Sequence, residues 1–194
     1  MKSKQKSTAA AADFPPLPYS RVKARALAEH DLPAVWKLMA VILDEQQFND
    51  SDKGYCTSSI RQWYEQDISR FYSEFEGPDD PRRLSIVLVD RPSNEIIGFG
   101  TLTAHPGDRG HEFNVGEITQ LYLDEEYRKL GLGHWLMSVL LNKAREFNYQ
   151  AVFLTTRVEF EDAVRLYRGL GFVDVENTKY AGVANSIALQ LALN

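Results

Sequence analysis

Arg128-Lys129-Leu130-Gly131-Leu132-Gly133 is the stretch on which the fold turns, because the pattern of the chain changes on either side of it. Upstream, Glu117 to Leu123 alternates and is rich in β-forming side chains, which reads as a strand. Downstream, Leu132 to Phe147 has helical period. His134, Ser138, Asn142 and Arg145 make one polar stripe, and Leu136, Met137, Leu140, Leu141 and Ala144 fill the other faces, as in a largely buried helix. A glycine turn between strand and helix gathers bare N–H groups and the positive end of the helix dipole at one point, where an anion is favoured. Gly131 and Gly133 carry no Cβ, so phosphate oxygens can come close to the main chain. The stretch therefore predicts a phosphate cradle.

Spacing excludes the two commonest phosphate motifs. A P-loop needs four residues between its glycines followed by Gly-Lys-Ser/Thr, which does not occur here. Gly98-Phe99-Gly100 lacks the third glycine of a dinucleotide fingerprint and sits inside a strand-like run.

The rest of the chain reads in sequence order. Val22 to Leu27 is a strand, and Asp31 is an N-cap candidate with Pro33 in the first turn of a helix over Ala34 to Leu43. Ser58 or Ser59 caps a second helix whose Ile60, Trp63, Tyr64, Ile68, Phe71, Tyr72 and Phe75 recur at helical spacing. Arg83 to Asp90 and Glu95 to Thr103 are strands joined in a hairpin by Arg91-Pro92-Ser93-Asn94. After the glycine turn and its helix come a buried strand, Ala151 to Thr155, and a short helix from Glu161 to Gly169. Strands around Phe172 to Val175 and Ser186 to Leu193 close the chain.

Two ordered motifs carry a family resemblance. R-x-x-G-x-G between strand and helix resembles the pyrophosphate loop of the GNAT superfamily of acetyl-CoA-dependent acyltransferases. Ala163 to Phe172, a helix carrying Leu166-Tyr167 and ending at Gly171-Phe172, is similar to the family's second signature. The resemblance spans residues 21–194, is best over Gly116 to Phe172, and is weakest over Asp44 to Arg83. It implies an α/β fold: a mixed, mostly antiparallel twisted sheet of six to seven strands flanked by about four helices. The fourth strand would splay from the fifth around the cofactor, acetyl-CoA. Unpaired backbone on Leu121, Tyr122 and Leu123 would then take up the pantetheine arm like an added strand. Arg128, Lys129, Leu130, Gly131, Leu132, Gly133 and His134 would surround the pyrophosphate. Many members carry an Asn seven residues before the Tyr of the second signature, to hold the pantetheine. Here that cofactor-binding position is Phe160, a departure from the pattern.

Direct acetyl transfer to an amine sets the remaining roles. A lysine-like amine has a pKa of ~10.4 and must lose a proton before it attacks, and the departing thiolate benefits from a donor. Glu117, eleven residues before Arg128, has the spacing of the catalytic Glu in the family's histone-acetylating branch and is the candidate base. The alternative is a strand Glu facing solvent. Asp124, Glu125 and Glu126 read as solvated charges, and His111 is a lesser base candidate in the loop His105 to Val115. Tyr167 matches the family's thiolate-protonating Tyr; packing of its ring into the core is the compatible structural role.

Composition bounds the partners. The 194 residues, 44% apolar with twenty-two aromatics, suffice for one domain over residues 20–194. Residues 1–19, with Lys2, Lys4, Lys6, an alanine run and three prolines, read as a disordered tail. No signal peptide and no run of about 18 apolar residues is expected, hence no membrane span. A lone Cys56 suits a reducing compartment, and the location expected is cytoplasmic. A pI near 5.4 argues against nucleic acid, and the four histidines show no metal-ligand spacing.

Asp44 to Asp80 holds ten acidic residues against three basic ones, a net −7 in a chain whose formal total is −5. Next to the acceptor site such a rim would favour a cationic amine, a polyamine or a lysine or N-terminal amine of a peptide. Solvated outer helix faces explain the same charges. Other readings left by the sequence are a non-catalytic acetyl-CoA sensor or scaffold and transfer of a larger acyl group. A homodimer made by exchange of the last strand is a further expectation from the resemblance.

Overall fold

The computed structural model describes residues 14–45, 82–105, 114–176 and 185–193. The expected second helix, Cys56, His111 and nearly all of the acidic stretch lie outside the described residues. Strand β1 (Val22–Ala26) is followed by a 3-10 turn at Glu29–Asp31 and helix α1 (Leu32–Glu45). Then come β2 (Leu84–Asp90), β3 (Ile96–Ala104) and β4 (Val115–Leu123). Helix α2 (Leu132–Glu146), β5 (Ala151–Arg157), helix α3 (Glu161–Gly169), β6 (Val173–Val175) and β7 (Ser186–Ala192) complete the order.

The strands form one seven-stranded sheet in the order β1-β2-β3-β4-β5-β7-β6. Only β4 and β5 run parallel; every other neighbouring pair is antiparallel. This is the mixed, mostly antiparallel sheet expected from the sequence, with three α-helices among the described residues.

Both faces of the sheet are covered, so its central strands are apolar on both sides. On one face Leu136, Met137 and Leu140 of α2 pack with Ile86, Leu88 and Leu102; on the other Val35, Leu38 and Met39 of α1 meet Val87, Val89 and Phe99. Burial of each such side chain contributes about 1.5–3 kcal/mol. Gly98 and Gly100 have a packing role here: a Cβ on Gly100 would stand 3.1 Å from Leu140 Cδ1, and one on Gly98 would stand 2.6 Å from Leu123 Cδ2.

Two expectations are corrected. Helix α1 starts at Leu32 rather than Ala34, and it follows directly on the 3-10 turn that ends at Asp31. The buried Asp31 carboxylate turns back to accept from Arg25 Nη1 and Nη2 (2.5 and 2.7 Å) and from the Ala28 amide (2.8 Å). Residues 14–19, read as part of the disordered tail, belong to the folded body. Phe14, Leu17 and Tyr19 pack on the α2-side core, so the ordered domain begins earlier than residue 20.

Candidate active site at the splayed strands

Strands β4 and β5 pair only over Val115–Glu117 and Ala151–Phe153. Beyond Glu117 they separate, although each stays paired on its other side, β4 to β3 as far as Leu123 and β5 to β7 as far as Arg157. The cause is a register shift: Leu102 faces Ile118 but Thr101 faces Gln120, so Thr119 is an extra residue in β4. Such a bulge bends the strand that carries it. The result is a wedge, closed at Glu117, with main-chain groups of Leu121, Tyr122 and Leu123 along one wall. The side chains of Leu121 and Leu123 pack toward α2, whereas Tyr122 lies on the other face with its ring 5.1 Å from that of Phe99.

The phosphate turn borders this wedge. Gly131 is the N-cap of α2 at φ 79° and offers no side-chain acceptor, so the first-turn amides keep their hydrogens for a ligand. The first helical bond runs from Trp135 N–H to the Gly131 carbonyl (3.0 Å). Lys129 is left-handed too, at φ 61°, while Leu130 between them is not. Alternation of this kind turns successive N–H groups toward one concave side. Arg128 braces the turn: its Nε donates to the Leu123 carbonyl (3.1 Å), tying the turn to the end of β4. Lys129, Leu130 and His134 are exposed, and the Leu132 side chain is buried in the core. A Cβ on Gly133 would be 3.5 Å from Leu166 Cδ2 of α3, so α3 lies directly against the start of α2. The amides, the opened strand backbone and the absence of a capping side chain fit a diphosphate with an amide-bearing arm.

Glu117 sits at the apex of the wedge, opposite Thr103 of β3 and Phe153 of β5. Gly116 and Ile118 face the α2 side, so Glu117 points to the α1 side. It is 2% exposed, which excludes the solvent-facing alternative. Tyr167 projects from α3 into the α2-side core at 6% exposure, its ring 6.1 Å from that of Phe172. Gly171 at φ 94° ends the helix and brings Phe172 back, with Phe172 N–H donating to the Tyr167 carbonyl (3.1 Å). Burial pushes the Tyr167 phenol above its ordinary value, and the neighbouring Tyr122 adds to the shift. The two tyrosines come from opposite faces of the sheet.

Phe160 is the N-cap of α3; its carbonyl accepts from Val164 N–H (2.9 Å), and its side chain makes no cap. Among the described residues no group of three or more His, Cys, Asp and Glu is placed to hold a metal ion, and no helix is long and apolar enough to cross a membrane.

One cluster escaped the sequence reading. Asp90, fully buried, accepts from Arg21 Nε (2.5 Å), Arg21 Nη2 (3.3 Å), Ser93 N–H (3.1 Å), Ser93 Oγ (2.9 Å) and the Tyr127 hydroxyl. The Arg21 guanidinium, foremost among these, holds the carboxyl well below the usual carboxylate range. Its partner Arg21 is 69 residues away, a pairing no local pattern announces.

Comparison with known proteins agrees with the geometry. The model of the acetyltransferase (GNAT) family matches residues 45–172. Mycothiol acetyltransferase of Arthrobacter sp. (strain FB24) is 36% identical over 87 residues, 45% of this chain; the match spans only 26% of that relative. Among solved structures, yncA of Salmonella typhimurium, a putative acetyltransferase with its cofactor acetyl-CoA, superposes with a TM-score of 0.61. Identity is 17%, over 90% of this chain and 95% of that one. The NatC complex bound to Gag peptide and CoA also gives 0.61, at 21% identity over 90% and 99%. With the family match covering most of the chain and the same fold in both structures, the protein belongs to the acetyltransferase (GNAT) family.

Proposed function

We propose that the protein is an N-acetyltransferase that moves the acetyl group of acetyl-CoA directly to a primary amine. The wedge between β4 and β5, closed by a buried carboxylate and bordered by an amide turn without a capping side chain, carries this reading. Main-chain groups of Leu121, Tyr122 and Leu123 would pair with the pantetheine arm, and the Lys129–His134 amides would hold the diphosphate. When bound, acetyl-CoA supplies an activated acetyl thioester.

Glu117 receives the proton the ammonium must lose, directly or through water, on the α1 side of the sheet. The neutral amine nitrogen then bonds to the carbonyl carbon as the carbon–sulfur bond breaks, and the second proton it sheds in becoming an amide ends on the departing sulfur, giving the free thiol. Tyr167 donates its hydroxyl to the sulfur that leaves with the electron pair. Its raised pKa keeps it protonated throughout neutral pH. No enzyme nucleophile is required.

The acceptor is a cationic amine in this reading, either a small polyamine or a peptide amine. The acidic stretch Asp44 to Asp80 supports the charge preference, and the likeness to a peptide-bound acetyltransferase complex supports the peptide. The single cysteine is in keeping with a cytoplasmic location. Thiol release measured across a panel of amines and peptides tests the proposal, with lysine-rich peptides and polyamines expected to exceed neutral amines. Binding of CoA without thiol release for any acceptor would favour the sensor reading and overturn the catalytic one.

A further inference from the structure

The segment before β1 crosses the phosphate turn and is fastened on both sides of it. On the α2 side, Trp135 Nε1 donates to the Pro16 carbonyl (3.0 Å), and Phe14 packs edge-on against the Trp135 ring (6.2 Å between centroids, 68°). Over the N-cap itself, a Cβ on Gly131 would meet Pro18 Cγ at 3.6 Å. On the β4 side, Arg21 grips Asp90, and Asp90 accepts from the hydroxyl of Tyr127. Trp135 and Tyr127 are the residues directly after and directly before the turn Arg128–His134.

We propose that Phe14–Arg21 is a strap that holds the diphosphate-binding turn in its binding shape, pinned through Trp135 at one end and through Arg21, Asp90 and Tyr127 at the other. The turn needs such support. Its left-handed Lys129, unlike the left-handed Gly131, costs conformational energy, and its amides gain nothing from a capping side chain. A cradle of backbone donors binds an anion well only if it is already arranged before the anion arrives. The strap residues are positioning residues acting through the turn.

The proposal rests on the cofactor reading above and is tested so that the two can fail separately. The full chain and its Tyr127→Phe, Arg21→Gln, Arg21→Lys and Trp135→Phe variants are titrated with CoA by calorimetry. kcat/KM is measured with acetyl-CoA and with S-acetyl-N-acetylcysteamine, a thioester without a diphosphate. Loss of one supporting hydrogen bond should weaken CoA binding about three- to tenfold. Activity with the short thioester should stay at the wild-type level, and Arg21→Lys should recover part of the loss seen in Arg21→Gln. Wild-type affinity for CoA in every variant would overturn the strap alone. Equal losses with both thioesters would also overturn it, since that is the signature of a general folding role. Wild-type protein that ignores CoA would overturn the cofactor reading and the strap together.

Discussion

Replacing Tyr167 with Phe removes one oxygen and leaves the ring in place against Phe172, inside a site that is already closed to solvent. Little stability is lost, so any change in rate reports on the hydroxyl. In the ground state the thioester sulfur is neutral and a weak acceptor; as the carbon–sulfur bond breaks it becomes an anion. A hydrogen bond to a charged acceptor contributes about 1.5–3 kcal/mol. At ~1.4 kcal/mol per factor of ten, Tyr167→Phe should lower kcat about 10- to 150-fold, with CoA affinity unchanged.

The raised phenol pKa sharpens the expectation. A thiol titrates at ~8.5 and an ordinary phenol at ~10, and Tyr167 stands higher still, so complete transfer of its proton to the thiolate is uphill. The hydroxyl therefore acts mainly by sharing its proton with the developing charge. Its worth should fall as the leaving thiol becomes more acidic. The assay is kcat for acetyl-CoA by thiol release, repeated with acetyl thioesters of more acidic thiols, alongside CoA calorimetry. An unchanged kcat for Tyr167→Phe would refute the donor role. A deficit that stayed constant across the thioester series would refute the charge argument while leaving a packing role.

Glu117→Gln should reduce kcat by about 10²-fold or more without altering the Kd for CoA, since the amide cannot take a proton; steady-state kinetics that match the wild type would remove Glu117 as base. Gly133→Asp should fold, because a Cβ there meets only ordinary contacts at 3.5 and 3.6 Å, yet abolish CoA binding by setting a carboxylate beside the diphosphate. Detectable heat with wild-type Kd would count against the cradle. For Asp90→Asn the effect depends on pH. The folded carboxyl titrates below the unfolded value of ~3.9, so its stabilisation is complete above that pH and is lost as pH falls toward the folded value. The gap in urea midpoint between wild type and Asp90→Asn should be widest near neutrality and narrow progressively below about pH 4; a constant gap would disprove the linkage.

Local patterns were legible where local physics decides. Helix α3 spans Glu161–Gly169 as read, because acidic residues occupy its first turn and a left-handed Gly171 ends it. The turn at Arg128–Gly133 was equally plain. Where a distant partner decides, the reading stopped short. β5 runs on to Arg157 rather than Thr155 because β7 pairs with it to Ser186. Phe14–Tyr19 looks like tail by composition, yet Trp135, 119 residues from Pro16, supplies its anchor. Asp90 reads as the last residue of an ordinary strand, and only the fold brings Arg21 and Tyr127 to it.

The placement of Glu117 shows why the site was harder to read than the fold. Side chains alternate along a strand, so Glu117, Leu121 and Leu123, all at odd positions, should share a face. They do not. Leu121 and Leu123 pack toward α2, and a Cβ on Gly100 would touch Leu121 and Leu140 together, while Glu117 points to the α1 side. The extra residue at Thr119 changes the phase between them. That one insertion opens the wedge, keeps the leucines in the core and turns the carboxylate to the opposite face. A perfect alternation would have put Glu117 among leucines, where an unpaired charge is costly, or the leucines on the acceptor side. Nothing in the residues Ile118-Thr119-Gln120 marks the bulge, because its cause lies in the pairing with β3 rather than in β4 itself.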